Sequence, residues 1–125
     1  MKLINLINNI EAETLNLVDP LYLDRDIKYV ATSDLMSDLL ALVIAPSQHM
    51  VLVTGLANGN SLRTAEMLDI HTIIYCRNKK LNEENAEMAI NMQINTFSTP
   101  LPMFDVIGIL YRDGLRTATR LHDET

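Results

Sequence analysis

The chain has 125 residues, the size of one domain, and its 48% hydrophobic and 21% charged residues exclude disorder for the body of the chain. The formal net charge of −6 repels phosphate backbones and anionic membrane surfaces, so we expect no nucleic-acid and no membrane partner. No segment approaches the roughly 18 to 20 apolar residues of a membrane span, and the N-terminus lacks a signal-peptide core, which predicts a cytoplasmic protein.

The first third of the chain predicts a helix, an extended segment, a strand and a second helix. Helical spacing of apolar residues covers Lys2–Asn9, and Ala12–Leu17 is typical of an extended segment. A strand is predicted over Ile27–Ala31. Ser33 is a suitable N-cap for the second helix, which must end before Pro46.

The rest of the chain alternates strands and helices. The predicted elements are strand Met50–Val53, helix Ser61–Leu68, strand His71–Tyr75, a helix capped by Asn82 and running to about Met92, strand Ile94–Phe97, and helix Met103–Tyr111 ended by Gly114. Strands separated by helices are the pattern of βαβ units. The sequence therefore predicts one α/β domain over residues 1–115, with a mostly parallel sheet flanked by helices and a frayed tail over residues 116–125.

A candidate ligand site follows the strand Met50–Val53. Thr54, Gly55, Asn58 and Asn60 lie between this strand and the next helix, where free backbone N–H groups can hold a phosphate or carboxylate. An ordinary turn is the alternative, in which glycine supplies an unusual backbone conformation and Asn58 or Asn60 caps the helix.

Neither glycine-based phosphate motif is present in this loop. The motif GxxxxGK[ST] needs a glycine where Asn60 stands, and GxGxxG needs one where Ala57 stands. The sequence thus disfavours a nucleoside-triphosphate kinase.

A second loop carries positive charge in an otherwise acidic chain. Arg77, Asn78 and Lys79 directly follow the strand His71–Tyr75. Ligands of parallel sheets bind beyond the carboxyl ends of the strands, so this loop and the Thr54–Asn60 loop are expected to converge on one site for a small anion or a nucleotide. A solvated turn is the alternative.

Asp34 and Asp38 are spaced to share one helical face, with Ser33 and Ser37 beside them. This arrangement would suit a metal-dependent phosphotransferase or hydrolase, a groove, or a subunit contact, although solvent exposure also explains it. No nucleophile has an evident base, so we expect no catalysis.

Metal and cofactor sites have little support in the sequence. His49, His71 and His122 are far apart, and the single cysteine, Cys76, ends an apolar run typical of a buried strand. We expect no metal, no cofactor and no disulfide within the chain.

The chain resembles the DRTGG family, small domains related to the N-terminal domain of HPr kinase, over nearly its whole length. The segments that carry the resemblance are Leu23–Arg25, Ser33–Leu40, Leu52–Leu56, Arg63–Ile70, Ile94–Thr99, Met103-Phe104 and Gly108–Tyr111. The chain departs from the letters that name the family, with Gly55-Leu56-Ala57-Asn58 after one strand and Cys76-Arg77-Asn78 after the next.

The resemblance implies an α/β fold and a non-catalytic regulatory or accessory role, because such domains resemble modules beside CBS pairs and in phosphotransacetylases and pyrophosphatases. It also favours a homodimer. The final helix supports this expectation independently, because its apolar residues cover more than one face. A purely protein-binding dimerisation module is the alternative function.

Overall fold

The computed structural model describes residues 1–119, and over this range strands and helices alternate as the sequence predicts. The helices are α1 (Leu3–Asn9), α2 (Met36–Leu42), α3 (Gly59–Met67), α4 (Glu83–Asn91) and α5 (Met103–Arg112). The strands are β1 (Glu13–Asn16), β2 (Tyr29–Thr32), β3 (Met50–Thr54), β4 (Thr72–Tyr75), β5 (Asn95–Ser98) and β6 (Arg116–Thr117). Short 3-10 turns cover Pro20–Asp24 and Ser47–His49.

The six strands form one sheet in the order β1-β5-β4-β3-β2-β6. Strands β2 to β6 pair in parallel, and β1 pairs antiparallel with β5 at one edge. No described helix is long and apolar enough to cross a membrane. The prediction of an α/β domain with a mostly parallel sheet is confirmed.

Helices cover both faces of the sheet and enclose two layers of core. Helices α1 and α5 pack on one face, with Leu6 and Val106 fully buried there. Helices α2, α3 and α4 pack on the other face, with Leu62 and Ala89 among the buried residues. All five residues of β3 are buried, as expected for a strand covered on both sides.

The start of α2 differs from the prediction that Ser33 caps it. The helix begins at Met36, and Leu35 occupies the N-cap position without a side-chain bond. The Ser33 hydroxyl instead accepts a hydrogen bond from the Leu35 N–H (2.9 Å) and donates one to the Leu35 carbonyl oxygen (3.1 Å). Serine bonds its neighbouring backbone readily, and here that local turn precedes the helix rather than capping it.

The prediction of a frayed tail over residues 116–125 is wrong for its described part, residues 116–119. Strand β6 pairs with β2, and Ala118 is fully buried. The Ala118 carbonyl oxygen accepts hydrogen bonds from the N–H groups of Ile44 (3.0 Å) and Ala45 (3.2 Å). Gly114 ends α5 with a φ of 104°, which aims the chain back at the sheet edge. Residues 120–125 lie outside the described residues.

Substituting Ala118 tests the burial of this last segment. We expect Ala118→Glu to lower the free energy of unfolding by more than about 2 kcal/mol, because it buries a carboxylate without a partner. Ala41→Glu, at an exposed alanine of α2, is the matched control and should change it by less than about 0.5 kcal/mol. Urea unfolding followed by circular dichroism measures both, and equal small effects would contradict the docking of this segment.

Candidate functional site

Two loops that follow neighbouring strands meet at the carboxyl edge of the sheet. The loop after β3 begins at Gly55, and the turn after β4 begins at Cys76. The Cys76 N–H donates a hydrogen bond to the Thr54 carbonyl oxygen at 3.1 Å, which extends the pairing of β3 with β4 up to the loops. We call residues 54–60 and 76–79 together the strand-end site.

Thr54 is the buried anchor of the first loop. Its hydroxyl donates to the Ser33 carbonyl oxygen at 2.9 Å, with Asp34 Oδ1 farther away at 3.4 Å, and it accepts the Leu56 N–H at 3.2 Å. The side chain thus connects the segment before α2 to the start of the loop. Removing the hydroxyl would leave buried polar groups without a partner.

A carboxylate of the chain itself occupies the first backbone donor of the loop. Asp34 Oδ1 accepts the Gly55 N–H at 3.2 Å. Gly55 has no positive φ, and a Cβ placed on it would lie 3.6 Å from Asp34 Oδ1, an ordinary contact. The expectation that this glycine supplies an unusual backbone conformation is therefore wrong. An anion from outside would have to bind further along the loop.

Asn58 caps α3, as one of the alternatives predicted. Its Oδ1 accepts the Ser61 N–H at 3.1 Å. The Ser61 hydroxyl donates to the Asn58 carbonyl oxygen at 2.8 Å and lies 2.8 Å from the Tyr75 hydroxyl. Because Ser61 has one hydroxyl proton, Tyr75 must donate to Ser61 when both bonds form. A chain of hydrogen bonds therefore fixes the loop to a fully buried side chain of β4.

The first turn of α3 presents backbone donors next to a guanidinium group. Within residues 1–119 no acceptor bonds the N–H groups of Gly59 and Asn60, as is usual for the first residues of a helix. Arg63 Nη1 lies 3.1 Å, and Asn85 Oδ1 3.3 Å, from the position that a Cβ on Gly59 would occupy. Donors, a partial positive charge and a full positive charge therefore lie together.

The second loop is a tight turn in which the side chains, not the backbone, are available. Arg77 and Asn78 both have a φ of 59°, and the Lys79 N–H donates to the Cys76 carbonyl oxygen at 3.2 Å. The N–H groups of Arg77 and Asn78 donate to the carbonyl oxygens of Leu101 and Thr99. All three side chains from 77 to 79 are exposed, so the turn directs two cations into solvent.

Asp34 and Asp38 do not share a helical face, contrary to the prediction. Asp34 precedes α2 and contacts Thr54 and Gly55, whereas Asp38 is an exposed residue in the first turn of that helix. Ser37 is exposed beside Asp38, and Ser33 is half-buried. No group of three or more His, Cys, Asp or Glu that could hold a metal ion occurs within residues 1–119. A groove or subunit contact formed by these four residues remains a prediction.

Sequence reasoning missed Arg63, Asn85 and the Tyr75–Ser61 pair. Arg63 could have been found, because it stands one helical turn after Gly59 and so reaches back over the helix start. Asn85 and Tyr75 are brought in by tertiary packing alone. The structure thus adds a third cation to the two that the sequence indicates.

Tyr75 provides a test of the chain of hydrogen bonds. We expect Tyr75→Phe to lower the free energy of unfolding by about 1 kcal/mol at pH 7, because Ser61 loses a buried donor. Burial raises the pKa of Tyr75 from 10.0 to about 12, so the folded state keeps a proton that the unfolded state releases near pH 10. The stability that the protonated Tyr75 hydroxyl contributes is therefore present below pH 10 and is lost as the pH rises towards 12.

Urea midpoints of the wild type and of Tyr75→Phe at pH 7 and pH 11 measure both effects. The difference between the two proteins should shrink at pH 11. Tyr22→Phe, at a half-buried tyrosine outside this chain of hydrogen bonds, is the matched control. A constant difference between wild type and Tyr75→Phe at the two pH values would contradict this account.

Cys76 provides a second test. Burial, together with the negative charge of Asp34, raises the pKa of the Cys76 thiol from 9.0 to about 11, so the thiol is protonated at neutral pH. We expect thiol reagents to label the native protein at pH 7.5 at least a hundredfold more slowly than the urea-unfolded chain. Mass spectrometry of timed samples measures this, and complete labelling of the native chain within minutes would show that the thiol is accessible.

Comparisons with known proteins support the fold at the level of structure. No protein-family model matches the chain, and the search of curated proteins found no match. The chain is similar to a crystal structure of the CBS and DRTGG domains of the regulatory region of Clostridium perfringens pyrophosphatase, complexed with the activator diadenosine tetraphosphate. The TM-score is 0.70 at 15% sequence identity, and the match covers 99% of this chain and 52% of that one. The chain therefore spans about half the length of that regulatory region and shares its fold there.

Proposed function

We propose that the chain is a regulatory domain of the DRTGG type that binds a small anionic ligand, a nucleotide or another phosphate compound, at the strand-end site. The observation that carries the proposal is the presence of three cations on the segments that follow the neighbouring strands β3 and β4. Arg63 lies over the first turn of α3, and Arg77 and Lys79 extend from the next loop. The chain as a whole has a formal net charge of −6, so this edge stands out as the place for an anion.

The first turn of α3 is the better seat for the ligand than the start of the loop. The Gly55 N–H is taken by Asp34, and that carboxylate repels a second negative charge. The N–H groups of Gly59 and Asn60 have no acceptor within the described chain, and the helix adds a partial positive charge at this end. A phosphate at this turn would meet Arg63 directly.

The similar regulatory region supports the ligand class. That structure holds an activator with four linked phosphates between two adenosines. Its fold matches 99% of this chain, and the resemblance found in the sequence names the same type of domain. We therefore place phosphate compounds with one or two nucleosides first among the candidate ligands.

A binding role fits the chemistry of the site better than catalysis does. Cys76 has a raised pKa and is buried, and Asp34 is engaged with Thr54 and Gly55. The site offers cations, amides and backbone donors, which bind an anion without activating a nucleophile. We propose that the domain acts in the cytoplasm, where such phosphate compounds are found.

Ligand-induced stabilisation tests the proposal. We expect adenosine mononucleotides, dinucleoside polyphosphates or inorganic polyphosphate to raise the unfolding temperature, with about 2.7 kcal/mol of stabilisation at 100 times the dissociation constant. Arg63→Gln, Arg77→Gln and Lys79→Gln should each weaken the response at least fivefold. Lys28→Gln, which removes a cation exposed on the surface before β2, is the control and should leave it unchanged.

Two outcomes would contradict the proposal. One is the absence of any shift in unfolding temperature with all three ligand classes at millimolar concentration. The other is a shift that the Arg63, Arg77 and Lys79 variants and the Lys28 control reduce equally, since this would indicate nonspecific attraction to positive charge.

A further inference from the structure

The end of the sheet formed by β2 and β6 is less well covered on the face of α1 and α5 than on the face of α2, α3 and α4. Besides α1 and α5, the 3-10 turn Pro20–Asp24 packs Tyr22 and Leu23 on this face, and beside α5 a groove of about 550 Å³ opens over β2 and β6. Its lining includes Val30, Ile107, Leu110, Tyr111 and Leu115, with Arg116 as the one charged lining residue in the described chain. The groove is thus largely apolar and open.

A second apolar surface runs along the outside of α5, next to the groove. Phe104 is 84% exposed and Tyr111 is 62% exposed, and Gly108 lies between them at helical spacing. We call these three residues the α5 stripe. No atom of residues 1–119 lies within 4 Å of a Cβ built on Gly108, so another backbone can approach the helix closely there. Two exposed aromatic rings beside an open apolar groove indicate a surface that another protein covers.

The charges beside the α5 stripe identify what covers it. Asp105 and Arg112 are seven residues apart, so they lie on the same side of α5, both exposed. When two copies of α5 pack antiparallel, Asp105 of each copy lies near Arg112 of the other, whereas parallel packing places like charges together. Arg112 has one weak ion pair with Asp113, at 3.8 Å, and Asp105 has none among the described residues. The helix is therefore charge-complementary to an antiparallel copy of itself.

We propose that the chain forms a two-fold dimer through the α5 stripe, with the α5 helices antiparallel and Phe104 of each copy directed into the groove of the other. Two-fold pairing uses the same patch twice, which fits a surface that carries both the aromatic side chain and the groove. Stable interfaces bury about 800 Å² per partner, so the groove must contribute together with the stripe. This inference goes beyond the ligand site and uses none of its residues.

Charge-reversal variants test the pairing and its direction. Light scattering of the wild type at tens of micromolar should give twice the 14.1 kDa mass of one chain. Asp105→Arg and Arg112→Asp should each weaken the dimer at least tenfold. An equimolar mixture of the two variants, and the doubly substituted chain, should dimerise again within about threefold of the wild-type dissociation constant. Phe104→Ser should be monomeric with an unchanged circular dichroism spectrum.

Asp38→Arg is the matched control, because it reverses an exposed charge on α2, and it should leave the dimer intact. A monomeric wild type at 100 µM would overturn the proposal and would indicate a different partner for the stripe. A dimer that persists in both single variants without favouring the mixed pair would also overturn it. Ligand response is measured separately on the monomeric Phe104→Ser chain, so failure of the dimer and failure of the ligand site are distinguishable.

Discussion

The handedness of the crossovers between parallel strands is the constraint on which the rest of this structure depends. A connection between parallel strands is right-handed in nearly all proteins. From β2 to β5 the chain moves across the sheet in one direction, so α2, α3 and α4 lie on one face. After β5 it returns to the far edge, and α5 therefore lies on the opposite face. The same path sets the loops after β3 and β4 side by side and leaves the end of the sheet beside α5 partly open.

Buried hydroxyl groups at the ends of β3 and β4 fix the position of the strand-end site. Thr54 and Tyr75 are fully buried at the ends of adjacent strands, and their hydroxyls bond Ser33 and Ser61, which precede α2 and begin α3. Buried hydroxyls need partners, so these bonds restrict where the loop can lie. The site is consequently a rigid part of the sheet edge, while its cations remain exposed and adaptable.

The sequence predicted the elements and the sheet class because apolar periodicity and turn residues are local signals. Asn82 was predicted as a helix cap for the same reason, and Asn58 was one of two candidate caps for α3; both accept a backbone N–H of the helix. Two errors had one cause. The predictions for Ser33 and for the tail after Leu115 used only neighbours in sequence. In the structure, Thr54 and Gly55 hold the segment Ser33-Asp34 outside the helix by hydrogen bonds. Ala118 is likewise held by hydrogen bonds to β2 and to the segment after α2. Such contacts are fixed by the path of the chain, which no local pattern contains.

The pairing of β6 with β2 has a consequence for how the chain folds. Tyr29 lies opposite Arg116, so the first strand of the parallel sheet can pair at this edge only after a strand that is synthesised later than the other five. Until β6 is in place, the backbone N–H and C=O groups on the outer edge of β2 are unpaired, and unpaired strand edges can pair with other chains. Closing so large a loop is also slow, because its entropy is lost before the contact is gained. Folding during synthesis should therefore pause at a five-stranded intermediate in which the outer edge of β2 is unpaired, and chaperones would recognise that edge.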